Sequence, residues 1–208
     1  INNKSVYEYR KDLGAELAKE THIQSDLIVP VPDSGVPASI GYAEKVKKSV
    51  ELGIIRNHYV GRTFIEPTQQ IRSFGVKLKH NINKSLIKNK SIVLIDDSLV
   101  RGTTSVKIIK MLFDAGAKEV HLRIASPPIK FPDYYGVDTP RQNELLASNY
   151  NLKDMQKFIN ATSLKFLSIE GLYRAMGYEK RNSVYPQFTD HCFTGEYPIK
   201  PIDVNEKE

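Results

Sequence analysis

Hydrophobic positions in the chain follow two patterns, one typical of buried strands and the other of helices with one apolar face. Residues 92–95 (IVLI) are apolar without interruption, as in a strand buried on both faces of a parallel sheet. In residues 4–20 the apolar side chains recur at three- and four-residue spacing, which predicts a helix packed through one face. Residues 103–114 are predicted to form another helix, which ends near Gly116, a residue that readily adopts the left-handed conformation of helix ends.

Strands and helices alternate along the chain, and this order predicts the fold class. Further strands are predicted at 26–32, 51–56, 119–126 and 164–169, and further helices at 38–46, 141–147, 152–159 and 170–176. This alternation favours an α/β fold with a doubly wound, mostly parallel sheet. We expect residues 1–178 to form this domain. Residues 179–208 are rich in aromatic, proline and charged residues and are expected to form a partly irregular tail packed on it.

Residues 57–80 interrupt the alternation with a long polar stretch that contains glycine and proline. Loops of this length in compact domains are usually lids, binding loops or disordered segments, and we interpret this one as a flexible lid. Residues 56–90 carry eight basic residues and one acidic residue, whereas the whole chain has a net charge of +6. Such a concentration of positive charge suits a polyphosphate ligand. Nucleic acid is the competing ligand, but no recognisable nucleic-acid-binding module accompanies these residues, so we expect none.

Two acidic residues, Asp96 and Asp97, directly follow the strand at 92–95, and a loop of small polar residues leads from them to the next helix. Ligands bind at the carboxyl ends of parallel strands, and the N–H groups at a helix start can hold a phosphate. The two carboxylates would repel a phosphate, so they imply sugar hydroxyls or a Mg²⁺ ion between them and the anion. The loop residues that would surround the phosphate are Ser98, Arg101, Gly102, Thr103, Thr104 and Ser105.

A second turn of small residues, Asp33-Ser34-Gly35, follows the strand at 26–32 and precedes a helix. Taken alone, this segment is more often an ordinary turn between a strand and a helix. Beside the first loop, its successive N–H groups can converge on a diphosphate. We therefore interpret Ser34 and Gly35 as part of a diphosphate loop.

Several classes of protein are excluded by what the sequence lacks. It contains no run of about eighteen apolar residues and no visible signal peptide, so we expect neither a membrane span nor secretion. The single cysteine, Cys192, excludes an intrachain disulfide and fits a cytoplasmic location. Because the sequence begins with Ile1 and not with Met, we expect a processed or excised piece of a longer chain.

The strand, the acidic pair and the small-residue loop together resemble the phosphoribosyl pyrophosphate (PRPP) signature of the type I phosphoribosyltransferases. Five further segments are similar to the phosphoribosyltransferase half of the glutamine PRPP amidotransferases, and residues 59–72 are the most diagnostic of them. The five segments are VPVPDSG at 29–35, YVGRTFIEPTQQIR at 59–72, AGAKEVHLRIASPPI at 115–129, YGVDTP at 135–140 and CFTGEYP at 192–198.

This resemblance implies a role for each candidate residue. Asp96 and Asp97 would bind the ribose hydroxyls or Mg²⁺, Ser34 would complete the metal site, and Arg101 to Ser105 would hold the 5-phosphate. Tyr59 and Arg62 would act from the lid. The implied reaction is transfer of ammonia to PRPP, which gives 5-phosphoribosylamine and diphosphate in the first committed step of purine synthesis. The resemblance also implies a glutaminase partner, purine nucleotides as feedback ligands, and a homo-oligomer.

The sequence departs from this family in ways that leave two other functions open. Some members bind a [4Fe-4S] cluster, but the corresponding positions are Asp133, Thr189 and Cys192, and one thiolate is too few for a cluster. His58 stands where an arginine is more frequent. The family's glutaminase domain has an amino-terminal cysteine nucleophile, and because the single cysteine here is Cys192, we expect that domain to be absent from this sequence. The chain could therefore be a free-standing nucleobase phosphoribosyltransferase or a non-catalytic module that binds PRPP or nucleotides.

Overall fold

The computed structural model describes residues 4–57 and 80–199, which form an α/β fold. The strands are β1 (Leu27–Pro30), β2 (Ile54–Arg56), β3 (His80–Ile82), β4 (Ser91–Asp96), β5 (Glu119–Ile124) and β6 (Ser163–Phe166). The helices are α1 (Val6–Thr21), α2 (Val36–Val46), α3 (Lys84–Ile87), α4 (Thr103–Asp114), α5 (Leu146–Asn149), α6 (Leu152–Ile159), α7 (Ile169–Ala175) and α8 (His191–Thr194).

Four parallel strands form the central sheet, in the order β1-β4-β5-β6. Every residue of β4 is buried, as expected for an interior strand with helices on both of its faces. Val93 of β4 is paired with Ile28 of β1 and His121 of β5. This register places the carboxyl ends of β1 and β4 side by side, and the two candidate loops leave the sheet there.

Helices cover both faces of the sheet, so the prediction of a doubly wound parallel α/β fold is confirmed. On one face, Leu17 of α1 and Tyr42 of α2 pack in a buried cluster with Val93 and Ile95. On the other face, α4 and α6 contribute to a larger cluster that includes Ile92 and Leu94. The alternation of β4 side chains between the two clusters follows from the two-residue period of a strand. The uninterrupted apolar run at 92–95 thus serves two cores at once.

Strands β2 and β3 form a separate antiparallel pair in which Arg56 lies opposite His80. The pair joins the two ends of the segment interpreted as a lid. Residues 58–79 of that segment, with Tyr59, Arg62 and His58, lie outside the described residues.

The predicted helix at 141–147 is wrong in its extent. A 3₁₀ turn covers Gln142–Glu144, and α5 begins only at Leu146. Leu145 between them is extended and fully buried, and the Leu146 N–H donates to the Val100 carbonyl at 2.8 Å. A tertiary contact with the loop after β4 therefore replaces the local helical bonds.

The described part of the tail is ordered by polar contacts around Asp190, which is 3% exposed. The Tyr173 hydroxyl donates to Asp190 at 2.8 Å, and the Arg181 guanidinium donates to the same carboxylate at 2.6 Å.

Within the described ranges, no helix is both long enough and apolar enough to span a bilayer.

Candidate functional site

A cleft of about 680 Å³ lies at the carboxyl ends of β1 and β4. The position is the one where open α/β sheets bind ligands. Polar side chains from both strand ends and from the start of α4 line the cleft. Among the lining residues are Asp33, Ser34, Arg56, His80, Asp96, Asp97, Ser98, Arg101, Gly102, Thr103, Thr104 and Ser105.

Asp96 ends β4 and is only 9% exposed, whereas Asp97 is half-buried. Asp96 Oδ1 accepts hydrogen bonds from Ser34 Oγ at 3.2 Å and from the Asp97 backbone N–H at 2.9 Å. Burial and, secondarily, the neighbouring charge of Asp97 raise the pKa of Asp96 well above its ordinary value. Ser98 Oγ donates to Asp97 Oδ1 at 3.3 Å. Two crowded carboxylates and a hydroxyl are therefore gathered at one edge of the cleft, where a cation would relieve their repulsion.

The loop after β1 approaches β4 closely because residue 35 is glycine. The Gly35 N–H donates to the Val31 carbonyl at 2.9 Å, which forms a tight turn. A Cβ atom at Gly35 would lie 2.3 Å from the Ile95 carbonyl oxygen and 3.2 Å from Asp96 Cα. Any other residue would push the loop, and with it Ser34, away from Asp96.

The loop after β4 ends at Gly102, which caps the N-terminus of α4 with a left-handed φ of 76°. The first turn of a helix leaves backbone N–H groups without intrahelical acceptors. In α4 this turn includes the exposed Thr103 and Thr104 and the buried Ser105, and all three residues line the cleft. The start of α4 therefore offers an anion both N–H groups and hydroxyls.

Arg101 is exposed and pairs with Glu144 through Nη2 and Oε2 at 2.8 Å. The partner carboxylate belongs to the 3₁₀ turn that precedes α5. The Leu146 N–H bond to the Val100 carbonyl holds the same two segments together. The loop after β4 is thus held by contacts with residues 144–146 and also lines the cleft.

The sequence reasoning missed two lining residues, Arg56 and His80. Arg56 ends β2 and forms an ion pair with Asp33 in the loop after β1. His80 begins β3 and is 5% exposed. The pairing of β2 with β3 is the signal that could have found them, because it places these two residues opposite each other although they are 24 positions apart in the sequence.

The structure gathers in one cleft most of the candidates that fall within the described residues. Ser34, Asp96, Asp97, Ser98 and the residues from Arg101 to Ser105 line it, while Gly35 supports the first loop from behind. Tyr59 and Arg62 lie outside the described residues, so their predicted placement over the cleft stays a prediction.

Comparison with known proteins defines the class first. Residues 3–165 match the phosphoribosyl transferase domain family, and the chain belongs to that family. Within it, the resemblance to the amidophosphoribosyltransferases is confirmed. The chain is 59% identical over 206 residues to the amidophosphoribosyltransferase of Rhizobium etli, and the match covers 99% of this chain and 42% of that protein.

Other relatives agree. The chloroplastic amidophosphoribosyltransferase 1 of Arabidopsis thaliana is 49% identical over 207 residues, which is 100% of this chain and 36% of that protein. The solved structure of the glutamine PRPP amidotransferase of B. subtilis, complexed with ADP and GMP, superposes with a TM-score of 0.82 at 46% identity. That match covers 93% of this chain and 42% of the other. The chain thus spans about two fifths of the length of the relatives it matches.

Proposed function

We propose that this chain binds PRPP with Mg²⁺ and transfers ammonia to it, giving 5-phosphoribosylamine and diphosphate in the first committed step of purine synthesis. The observation that carries the proposal is the arrangement of the cleft. An acidic pair with a serine hydroxyl occupies the ends of β1 and β4, and the N-terminus of a helix lines the same cleft. Two parts of PRPP match these two parts of the cleft: the diphosphate on the hydroxyl-bearing ribose matches the acidic pair, and the separate 5-phosphate matches the helix N-terminus.

The start of α4 would hold the 5-phosphate. Backbone N–H groups of its first turn, the hydroxyls of Thr103, Thr104 and Ser105, and the positive end of the helix dipole all favour an anion there. Gly102 gives the loop the left-handed turn that opens this end of the helix. Arg101 supplies positive charge at the rim of the cleft while paired with Glu144.

The acidic pair would serve the ribose and a Mg²⁺ ion. Asp96, Asp97 and Ser34 offer the oxygen ligands that Mg²⁺ prefers, and the crowding of the two carboxylates is the kind of repulsion that a divalent cation offsets. When bound, Mg²⁺ supplies charge neutralisation on the diphosphate as it leaves. Ser34 and Gly35 would keep the diphosphate loop against this edge of the cleft.

Departure of diphosphate leaves positive charge on the ribose ring, as in glycoside hydrolysis. Protein groups that stabilise the leaving group and exclude water therefore supply most of the catalysis. Arg56 is placed to contribute, because it lines the cleft and is held beside the loop after β1 by Asp33. Tyr59 and Arg62 would act from the lid at 57–80, closing over the bound diphosphate.

The ammonia would come from a glutaminase domain or subunit, since the matched relatives are more than twice as long as this chain. We further propose that residues 1–178 form the catalytic domain with residues 179–208 as its tail, in a cytoplasmic homo-oligomer. Purine nucleotides are the proposed feedback ligands, because the B. subtilis structure was solved as a complex with ADP and GMP. We expect no iron–sulfur cluster, no nucleic acid and no membrane partner.

Diphosphate release from PRPP and Mg²⁺ tests the reaction, with ammonia, glutamine and a panel of nucleobases compared as acceptors. We expect release with ammonia and none with glutamine alone. Asp96→Asn and Asp97→Asn should each lower the rate by at least about tenfold, because each removes a charge that balances Mg²⁺. The matched control is Asp114→Asn, which changes an exposed carboxylate at the far end of α4.

Two outcomes would contradict the proposal. Release only with a nucleobase would show a free-standing nucleobase phosphoribosyltransferase, and tight PRPP binding without release would show a non-catalytic module.

A further inference from the structure

A second cluster of side chains with metal-binding chemistry lies outside the cleft. It consists of Asp133, His191 and Cys192, whose ligand atoms all lie within 4.8 Å of one another. The three residues come from the segment after β5 and from the first two positions of α8. None of them lines the cleft, and the proposed reaction does not use them.

The cluster is partly buried, with Cys192 at intermediate exposure, and its carboxylate is held in one orientation. The side chains of Asp133 and His191 are 7% and 4% exposed. Asp133 Oδ1 accepts the backbone N–H groups of Tyr135 at 2.8 Å and Val137 at 2.9 Å. The second oxygen, Oδ2, therefore faces the other two residues and lies 2.7 Å from His191 Nε2 and 3.9 Å from Cys192 Sγ.

The two ring nitrogens of His191 differ in their surroundings. His191 Nδ1 is buried and has no hydrogen-bond partner among the described residues. The other ring nitrogen, Nε2, lies beside Asp133 Oδ2 and is the one placed to share a cation with that carboxylate. The rings of Tyr135 and Tyr197 enclose the imidazole, with centroids 4.9 Å and 5.0 Å from it. The imidazole is therefore packed against two aromatic rings, while its Nε2 lies 2.7 Å from Asp133 Oδ2.

We propose that Asp133, His191 and Cys192 bind one divalent transition-metal ion, with Zn²⁺ as the best fit. Around tetrahedral Zn²⁺, two N or O ligands lie about 3.3 Å apart, and an O and an S ligand about 3.5 Å apart. The observed separations of 2.7 Å and 3.9 Å are both roughly 0.5 Å from these values. Small side-chain rotations would therefore suffice to admit the ion.

The ligand types select the metal. One carboxylate, one imidazole and one thiolate form a mixed O, N, S set, which suits Zn²⁺ and not the all-oxygen preference of Mg²⁺. Three protein ligands leave the fourth tetrahedral position for water. Backbone bonds to Asp133 Oδ1 play the supporting role that outer hydrogen bonds usually have around metal ligands.

A role for Cys192 as a nucleophile or redox sensor fits less well. Burial and the nearby Asp133 raise the pKa of its thiol to about 11, so the thiolate is scarce at neutral pH unless a metal stabilises it.

Backbone contacts already join the tail to the segment after β5. The Cys192 carbonyl accepts the Lys130 and Phe131 N–H groups at 2.9 Å and 3.1 Å. The Tyr197 hydroxyl donates to the Pro132 carbonyl at 2.8 Å. A metal bound by Asp133, His191 and Cys192 would further stabilise the contact between the tail and the segment after β5.

Titration of the untagged full chain with Co²⁺ tests the site without relying on enzyme activity. We expect one Co²⁺ per chain, a thiolate-to-metal charge-transfer band, and visible bands typical of four-coordinate Co²⁺, all reversed by an excess of Zn²⁺. Metal analysis of the purified chain should show close to one Zn²⁺ after equilibration with Zn²⁺ and gel filtration. Absence of a stoichiometric metal, or a Co²⁺ spectrum without the thiolate band, would overturn the proposal.

Substitutions identify the ligands. Cys192→Ser should abolish the charge-transfer band, and His191→Gln should weaken Zn²⁺ binding by more than about tenfold. His121→Gln is the matched control, because it removes another buried histidine at a distance in the sequence, and it should bind Zn²⁺ as the wild type does. Circular dichroism verifies that each variant folds, and the wild-type spectrum decides the question if a variant does not. Equal Zn²⁺ binding by wild type and His191→Gln would contradict the assignment.

Discussion

At the scale of single residues, the cleft depends on a glycine at the start of α4. Gly102 has a φ of 76°, and a Cβ atom there would lie 2.9 Å from Leu146 Cδ2. Gly102→Ala should lower the free energy of unfolding by about 1–2 kcal/mol, the usual cost of a left-handed residue with a side chain. It should also raise the KM for PRPP several-fold, because the loop that would hold the 5-phosphate must shift. Urea unfolding and steady-state kinetics measure the two effects.

Gly177→Ala separates backbone strain from the effect on the cleft. Gly177 has a φ of 90° and no atoms within 4 Å of the added Cβ, and it lies after α7, away from the loops. The Gly177 variant should lose stability but keep its KM. A similar rise in KM for both variants would refute a specific role of Gly102 in the loop.

The pH dependence of the free energy of unfolding should reflect the protonation of His121. Burial, and secondarily the charge of Arg123, lowers the pKa of His121 below 6.5. Because the unfolded chain then binds the proton more readily, the free energy of unfolding falls as the pH drops below about 6.5. His121→Gln should therefore lose less stability than the wild type between about pH 7.5 and about pH 5.5 in urea titrations. His22→Gln, at an exposed position, should behave as the wild type does.

Local sequence patterns predicted the two loops that line the cleft, but not every contact that forms when distant segments pack. Asp96, Asp97 and the residues that follow belong to one continuous strand, loop and helix start, so their proximity was predictable. Asp133 and His191 are 58 positions apart, and only the resemblance to a family with a metal cluster drew attention to Asp133. Their contact depends on how the tail packs, which no local pattern encodes.

At the scale of elements, α1 and α7 are joined by charged side chains. Arg174 of α7 donates to Glu16 Oε2 at 2.8 Å and also pairs with Glu20. The Glu16 side chain is 9% exposed, so removal of Arg174 leaves a largely buried carboxylate whose remaining ion-pair partner among the described residues is Lys19. Arg174→Ala should lower the free energy of unfolding by about 1–2 kcal/mol, more than a surface pair contributes.

The matched control for this pair is Lys157→Ala in α6. The Lys157 side chain is 81% exposed, and its Nζ lies 3.8 Å from Asp154. Its loss should cost less than about 0.5 kcal/mol in the same urea titration. Equal effects of the two substitutions would show that the burial of Glu16 does not strengthen its pairing.

Most elements could be predicted because their apolar patterns agree with their tertiary environment. Strand β4 is apolar at positions 92–95 and is buried on both faces, and the predicted α4 matches the observed Thr103–Asp114. The prediction at 141–147 was wrong because Leu145 is drawn into the core in an extended conformation. In such a segment, burial of one side chain outweighs a weak local preference for helix.

At the scale of the whole molecule, the sheet carries the site because its strands are parallel. Parallel pairing of β1 and β4 puts two loops at the same edge, and the helices α1, α2, α4 and α6 cover the faces so that the edge is left for a ligand. A ligand at this edge therefore contacts two distant chain segments that lie together only in the folded protein. Stability of the entire fold should respond to it.

PRPP with Mg²⁺ should stabilise the whole chain against heat. A ligand that binds only the folded state at about one hundred times its Kd adds about 2.7 kcal/mol, which is a rise in Tm of roughly 5–10 °C for a chain of this size. Differential scanning fluorimetry should show this rise with both ligands present and a smaller one with either alone, because Asp96 and Asp97 repel an anion that lacks the cation. Asp97→Asn should reduce the part that depends on Mg²⁺. An equal rise in the wild type with and without Mg²⁺ would show that the acidic pair binds sugar hydroxyls alone.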